Sequence, residues 1–147
     1  MPKVKTIVKP VSVGCSRYPG EQDDCAVRAL ANATEKTYAD CHDIFKQNGR
    51  KSGKATRHDI VHNVYISNGL RLVCSFGTTN DAKYVSSVYG VPNLAGSTLA
   101  KVMKSLHTGK FIVSVRSHVF AVIDGDVIDD RPLSGAQSVT SLYEVIE

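Results

Sequence analysis

One of the four cysteines lies where nucleophilic chemistry is favoured. Cys25 follows Asp24, a residue type that commonly caps a helix, and it opens an apolar stretch with helical spacing that continues to Ala33. Backbone N–H groups and the helix dipole at such a position favour an anion and therefore the reactive thiolate. A cysteine nucleophile also needs a base, so the fold has to bring a histidine close to Cys25.

His118 is the best of the five histidines for that role, because it opens a strong β-hairpin signal. Residues 118–123 form a run suited to a strand, Asp124-Gly125 supplies a two-residue turn, and residues 126–129 form the returning strand. Because this hairpin fixes its own register, it also predicts which side chains lie near the histidine.

The predicted register gives His118 an acidic partner. It pairs Phe120 with Asp129 and places Asp129 diagonal to His118 on the same side of the sheet. A carboxylate there can hold the imidazole in the tautomer that a Cys-His-Asp triad needs. The alternative acid is Asp130, which in a regular strand would point to the opposite face.

Length and composition indicate one globular domain. The chain has 147 residues, of which 42% are hydrophobic and 22% charged, so we expect a single domain over 1–147 with residues 1–14 as an extended arm. The chain shows neither a secretory signal nor an apolar run of about 18 residues, so we expect a cytoplasmic protein without membrane contact. The other cysteines (Cys15, Cys41 and Cys74) form no C-x-x-C pair and are expected to pack as small apolar residues.

Helical patterns come first along the chain and strand patterns follow. Helices are predicted from Asp24 to Ala33, from Tyr38 to Gln47, from Thr56 to Asn68-Gly69, and from Ser97 or Thr98 to Gly109; strands are predicted over 70–76, 111–115, 118–123, 126–129 and 139–146. Thr37 and Thr56 each begin a Thr-x-x-Asp capping pattern. Residues 77–96 are assigned to neither type. This order predicts an α+β fold with N-terminal helices packed on a C-terminal antiparallel sheet.

Several blocks together resemble a known family. The blocks are Asp23 to Thr34, Tyr38 to Phe45, Asn48 to Lys51, His118 to Gly125, and Asp129, and in this order they resemble small papain-like cysteine peptidase proteins of bacteriophages and bacteria. The resemblance implies a papain-like fold, a nucleophilic Cys25, a general base His118 and an orienting Asp129. The resemblance gives the chemistry and not the substrate. For that chemistry we expect a protein or peptide substrate, and for a phage-encoded protein this includes a host protein in the host cytosol.

The chain departs from that family at the site. Where relatives often carry an oxyanion-hole glutamine six residues before the cysteine, this chain has Pro19, so Gln22 is the candidate instead. Arg131 stands where the relatives often have an aromatic residue. The carboxylates of Glu21, Asp23 and Asp24 oppose ionisation of the nearby Cys25 thiol. These departures support an alternative function, in which the same fold binds a host protein without turnover.

Two further groups of side chains have types that could bind a ligand. His58 and His62 are spaced i, i+4, but no glutamate follows His58, so we expect no metal and no cofactor. Residues 46–57 are basic and contain no acid, and they form either a solvated loop or a contact for an anionic partner through Arg50, Lys51, Lys54 and Arg57. The net charge of +4 is too small to indicate nucleic-acid binding by itself, so that partner is disfavoured. No oligomeric state is predicted.

Overall fold

The predicted α+β class is confirmed by a computed structural model, which describes residues 7–77 and 80–146. Helices in this part of the chain are α1 (Cys25–Ala33), α2 (Tyr38–Gln47), α3 (His58–Ser67), α4 (Asn80–Tyr89) and α5 (Leu99–Met103). Strands are β1 (Ile7–Val8), β2 (Leu70–Ser75), β3 (Lys110–Val115), β4 (His118–Ile123), β5 (Asp126–Ile128), β6 (Leu133–Ser134) and β7 (Val139–Val145). No helix in these ranges is long and apolar enough to cross a membrane.

Five of the strands form one antiparallel sheet in the order β2-β7-β3-β4-β5, and β1 pairs with β6 in a second, two-stranded sheet. The β4–β5 hairpin has the predicted turn, with φ of 50° at Asp124 and 86° at Gly125. Its ladder runs from Ile123 paired with Asp126 to Ala121 paired with Ile128. The expected Phe120–Asp129 pair therefore lies beyond the ladder, and Asp129 follows the end of β5.

Apolar side chains cover both faces of the large sheet. On one face, Leu30, Phe45 and Tyr65 from the first three helices pack with Ile112, Ala121 and Tyr143. On the other face, Val113, Phe120, Val122 and Leu142 pack with Leu99, Leu106 and Leu133. Helix α1 lies against β4 and also contacts β3. This packing joins the helix that begins at Cys25 to the strand that begins at His118.

The helix starts follow the predicted capping patterns only in part. Thr37 caps α2 by accepting a hydrogen bond from the Asp40 N–H at 3.1 Å, as predicted. The same prediction for Thr56 is wrong, because α3 begins at His58 and its N-cap residue is Arg57, which makes no side-chain capping bond. Asp24 does occupy the N-cap position of α1, but its carboxylate accepts a hydrogen bond from the Tyr38 hydroxyl at 2.8 Å instead of capping the helix.

Two other segments differ from the sequence-based expectation. The unassigned stretch 77–96 contains α4, whose Val85 is fully buried, so packing against the sheet stabilises a helix that its sequence pattern signals weakly. Helix α5 stops at Met103 instead of reaching Gly109, although Leu106 is still buried in the core.

The predicted N-terminal arm lies along the edge of the large sheet. Beyond β1, the Val11 N–H donates to the Val127 carbonyl at 2.9 Å, and Ser12 forms a parallel bridge with Ile128. The arm therefore covers β5, which is otherwise an edge strand. Residues 1–6 of the predicted arm lie outside the described residues.

Candidate active site

Cys25 and His118, which are far apart in the sequence, line the same cleft. Cys25 is the first residue of α1 and His118 is the first residue of β4. The cleft has a volume of about 490 Å³ and reaches from these two side chains to the loop that precedes α3. The packing of α1 on β4 thus places a thiol at a helix N-terminus beside an imidazole.

His118 is held by a carboxylate on its other side. Its Nε2 lies 2.6 Å from Oδ2 of Asp129, and Asp129 is only 2% exposed. Cys25 also lies close enough to the imidazole to contribute to raising the pKa of His118. Since Nε2 faces Asp129, Nδ1 is the ring nitrogen left for the thiol.

The surroundings of His118 favour its protonated form. Burial of the ring disfavours the charge, but the hydrogen bonds and charges of Asp129 and Cys25 outweigh it and raise the pKa of His118 to about 9. His118 is therefore an imidazolium at neutral pH. An imidazolium beside a cysteine is the arrangement that favours a thiolate nucleophile.

Both oxygens of the Asp129 carboxylate are engaged. While Oδ2 contacts His118, Oδ1 accepts a hydrogen bond from the Asp130 N–H at 2.8 Å and lies 3.8 Å from Nη1 of Arg28. The Asp129 N–H in turn donates to the Ser12 carbonyl at 2.8 Å. The carboxylate is therefore held by the Asp130 N–H and by Arg28 of α1, and the N-terminal arm holds the Asp129 backbone.

The expectation that Asp130 points away from Asp129 is wrong. Because β5 ends at Ile128, strand alternation does not continue to residue 130, and the Asp130 carboxylate lies 3.2 Å from the same Nη1 of Arg28. It also contacts Arg17 at 2.6 Å and Arg131 at 3.2 Å. Partial burial opposes ionisation of Asp130, but Arg28 and Arg131 outweigh it and lower the pKa of Asp130 to about 2. Asp130 thus pairs with three arginines, whereas Asp129 contacts both the histidine and Arg28.

Gln22, the oxyanion candidate, is directed away from Cys25. Its Nε2 donates to the Gly53 carbonyl at 3.4 Å, and Gln22 is not among the residues that line the cleft. The first N–H groups of α1, beginning with that of Cys25, have no acceptor within the helix. They are therefore the donors closest in the chain to the thiol.

A buried ion cluster, absent from the sequence-based expectations, holds the segment before Cys25. The Glu21 carboxylate lies 2.7 Å from Nε2 of His42 and accepts hydrogen bonds from Nη2 of Arg50 at 3.0 Å and from the Gly53 N–H at 2.6 Å. Burial alone would raise the pKa of Glu21, but these contacts lower it to about 2. The cluster ties Glu21 and Gln22 to the loop that follows α2.

The basic residues of that loop therefore have different environments. Arg50, predicted as a contact for an anionic partner, is 5% exposed with its guanidinium directed to Glu21, so its charge is not presented at the surface. Lys51, Lys54 and Arg57 are exposed, and Arg57 pairs with Asp59 at 3.0 Å. A partner could contact these three residues but not Arg50.

The remaining cysteines are packed and lack the surroundings of Cys25. All four thiols are free; Cys41 and Cys74 are buried and Cys15 is half-buried. Burial raises the pKa of Cys41 to about 12 and that of Cys74 to about 11. For Cys15 the pKa is also raised, chiefly by burial, although Arg28 opposes the shift.

Arg28 was not predicted as a residue of the site, although the sequence contains a signal for it. It is the single charged residue in the apolar helix segment from Cys25 to Ala33, and it follows Cys25 by three residues, which places it about one helical turn further along α1. A lone buried charge in such a helix requires a partner. Here the partners are the adjacent carboxylates of Asp129 and Asp130.

Comparisons of the chain with models of protein families, with curated proteins and with solved structures found no match. Among the residues that the structure describes, no group of three His, Cys, Asp or Glu side chains is placed to hold a metal ion. The main indication of function is therefore the geometry of Cys25, His118 and Asp129.

Proposed function

We propose that this protein is a papain-like cysteine hydrolase that cleaves an amide or isopeptide bond in a protein or peptide. One observation supports the proposal most: the His118 ring is hydrogen-bonded to the buried Asp129 carboxylate and lines a cleft together with Cys25. The resemblance of the sequence blocks around Cys25 and His118 to papain-like proteins supports the same fold and chemistry.

In the proposed first step, the Cys25 sulfur attacks the substrate carbonyl carbon. A sulfur–carbon bond forms, the carbonyl electrons move to oxygen, and the Cys25 N–H donates to that oxyanion. As the carbon–nitrogen bond breaks, His118 donates its proton to the leaving amine, and a thioester remains on Cys25. Gln22 would assist only if its amide left the Gly53 carbonyl.

In the second step, the neutral His118 removes a proton from water. The hydroxide oxygen attacks the thioester, the sulfur–carbon bond breaks, and the carboxylic acid product leaves the regenerated ion pair of Cys25 and His118. Asp129 stays ionised throughout and keeps the imidazole ring oriented, as the carboxylate of a triad does. On the sequence resemblance, we place this reaction in the cytosol of a phage-infected host, with a host protein as substrate.

Site-selective alkylation tests the reactivity on which this mechanism depends. With limiting iodoacetamide at neutral pH, we expect Cys25 to be modified at least about tenfold faster than Cys15, Cys41 or Cys74, as measured by peptide mass spectrometry. The replacement His118→Ala should remove most of this advantage, and circular dichroism should show that the variant is folded. Equal rates at all four thiols would overturn the proposal.

One observation supports a second candidate function, a binding module without turnover. The amide of Gln22 points to Gly53, and Asp23 and Asp24 line a small pocket next to Cys25, which is an unfavourable setting for a developing anion. A module of this type would bind its host partner equally well when Cys25 is replaced by alanine. Incubation of the wild type and Cys25→Ala with a proteome-derived peptide mixture separates the two functions, because only an enzyme generates new peptide termini that depend on Cys25.

A further inference from the structure

Two serines of the large sheet form a polar patch in the cleft. Ser114 of β3 and Ser141 of β7 are direct cross-strand partners, so their side chains leave the sheet on the same face and lie next to each other. Both residues line the cleft that contains Cys25 and His118. The patch therefore belongs to the same cavity as the candidate triad, although no step of the proposed mechanism uses it.

The two hydroxyls of this patch are not used within the described part of the chain. Neither Oγ atom makes a hydrogen bond with a described residue, and the hydroxyl of the neighbouring Thr140 donates to the Ser114 carbonyl at 3.1 Å. Ser141 is only 1% exposed and Ser114 is half-buried, yet neither oxygen is among the unpartnered atoms that are sealed from solvent. A nearly buried hydroxyl that is unpaired and still open to a cleft offers a hydrogen bond to a ligand.

The cleft has apolar walls and no free counter-charge from a lysine or arginine. Apolar side chains from two helices and one strand line it: Ala26, Val61 and Val119. Among its described lining residues none is Lys or Arg, Asp23 alone is acidic, and the His118 ring is already paired with Asp129. A carboxylate bound at the serines would therefore lose its hydration without meeting a lysine or arginine, whereas a neutral polar group loses less.

From these observations we infer that Ser114 and Ser141 form a specificity subsite for a side-chain carboxamide, so that the enzyme prefers substrates with asparagine or glutamine close to the cleaved carbonyl. A carboxamide has both an acceptor and donors, so it can satisfy two neighbouring hydroxyls at once. The cleft, at about 490 Å³, has room for such a side chain. The inference rests on the proposed hydrolase function, because it assumes that the acyl part of the substrate occupies the cleft beside Cys25.

Peptide acyloxymethyl ketones that differ in a single residue test the subsite. Asn, Leu and Asp have nearly the same shape, so exchanging them at the first, second or third residue from the ketone changes only polarity and charge. At one of these positions we expect the Asn peptide to label Cys25 about tenfold faster than the Leu and Asp peptides, because Leu leaves the hydroxyls unpaired and Asp brings an uncompensated charge. Labelling by the Leu or the Asp peptide that is as fast at every position would overturn the subsite.

Serine-to-alanine variants assign the preference to the two hydroxyls. The ratio of Asn to Leu labelling rates should fall towards one in Ser114→Ala and in Ser141→Ala, and circular dichroism should show that each variant is folded. Ser87→Ala is the matched control, since it removes an exposed hydroxyl of α4 outside the cleft, and it should leave the ratio unchanged. A ratio that persists in Ser114→Ala, the less buried of the two positions, would overturn the assignment even if Ser141→Ala fails to fold.

A protection measurement separates this inference from the hydrolase proposal. A peptide amide with Asn at the preferred position, which carries no electrophile, should slow the modification of Cys25 by iodoacetamide more than its Leu counterpart does, with or without turnover. If Cys25 reacts no faster than the other thiols while this difference in protection remains, the hydrolase proposal fails and the subsite stands as a binding feature. Equal protection by the two peptides at a fast-reacting Cys25 overturns the subsite alone.

Discussion

His118 Nε2 lies 2.6 Å from Asp129 Oδ2, and the two side chains are 10% and 3% exposed. Water therefore competes little for this contact, and a charged hydrogen bond is stronger in such surroundings than at the surface. The contact explains how a largely buried imidazole keeps a proton at neutral pH. It also fixes which ring nitrogen remains for Cys25.

Removal of the Asp129 charge should lower the proton affinity of His118. In Asp129→Asn, burial of the ring is no longer opposed by the carboxylate, so we expect the pKa of His118 to fall from about 9 by more than one unit, that is, by more than ~1.4 kcal/mol. Two-dimensional NMR of the histidine ring over a pH titration measures this shift. Alkylation of Cys25 should slow in the same variant.

The control for this experiment is Asp126→Asn, which removes an exposed carboxylate from the same hairpin. The pKa of His118 should change little in this variant. If both variants shift the pKa equally, the cause is the general charge of the hairpin and the specific role of Asp129 is refuted.

The stability of the protein should decline on the alkaline side of neutrality. In the folded protein the pKa of His118 is about 9, above its ordinary value of 6.5. The protonated ring therefore contributes to the free energy of unfolding fully below pH 6.5, and this contribution is lost as pH rises through about 9. The shift corresponds to at most roughly 3 kcal/mol. Urea unfolding at several pH values between these limits measures the decline, which should be flatter in Asp129→Asn. An identical slope in both proteins would contradict this assignment.

The Glu21 cluster should be important for stability. The Glu21 side chain is only 4% exposed, and Glu21→Gln leaves the buried guanidinium of Arg50 without a counter-charge. We therefore expect the free energy of unfolding to fall by about 3–5 kcal/mol. Glu35→Gln, at an exposed position, should change stability by less than about 0.5 kcal/mol. Urea unfolding compares the two variants, and similar losses would show that the cluster contributes nothing specific.

The acid limb of the stability curve should also depend on Glu21. In the folded protein the pKa of Glu21 is about 2, below its ordinary value of 4.5. The ionised carboxylate therefore contributes to the free energy of unfolding above pH 4.5, and this contribution is lost as pH falls through about 2. In Glu21→Gln this part of the acid destabilisation should be missing, as measured by urea unfolding over that range. Unchanged acid sensitivity in the variant would assign the loss to other carboxylates.

Arg28 should couple the helix that begins at Cys25 to Asp129, the acid of the candidate triad. Arg28→Met leaves the adjacent carboxylates of Asp129 and Asp130 without a shared cation, and we expect a loss of about 3–5 kcal/mol in the free energy of unfolding. Arg28→Lys keeps the charge and should recover part of the loss. Arg116→Met, at an exposed position, is the control, and an equally large effect there would refute the argument.

Local sequence signals were sufficient for the elements that carry the candidate triad. Helix α1 and the β4–β5 hairpin follow from apolar spacing and from the Asp124-Gly125 turn, both of which are properties of short segments. Because the turn fixes the register of the hairpin, the sequence alone predicts that Asp129 lies near His118. The prediction for Asp130 failed because strand alternation was continued past Ile128, where the strand ends.

Other features depend on contacts that no short segment encodes. Glu21 meets His42 and Arg50 across 21 and 29 residues of chain, so the cluster forms only when the loops pack together. Thr56 has a capping pattern, yet the helix starts two residues later. Helix α4 has a weak pattern and is stabilised by packing against the sheet through Val85.

The arm over β5 has a consequence for the durability of the protein. An uncovered edge strand can pair with another chain and start aggregation, and residues 11–12 prevent this by hydrogen bonding along β5. The same arm accepts the Asp129 N–H through the Ser12 carbonyl. Loss of the arm would therefore remove a backbone contact of the candidate triad residue Asp129 and expose the β5 edge at the same time.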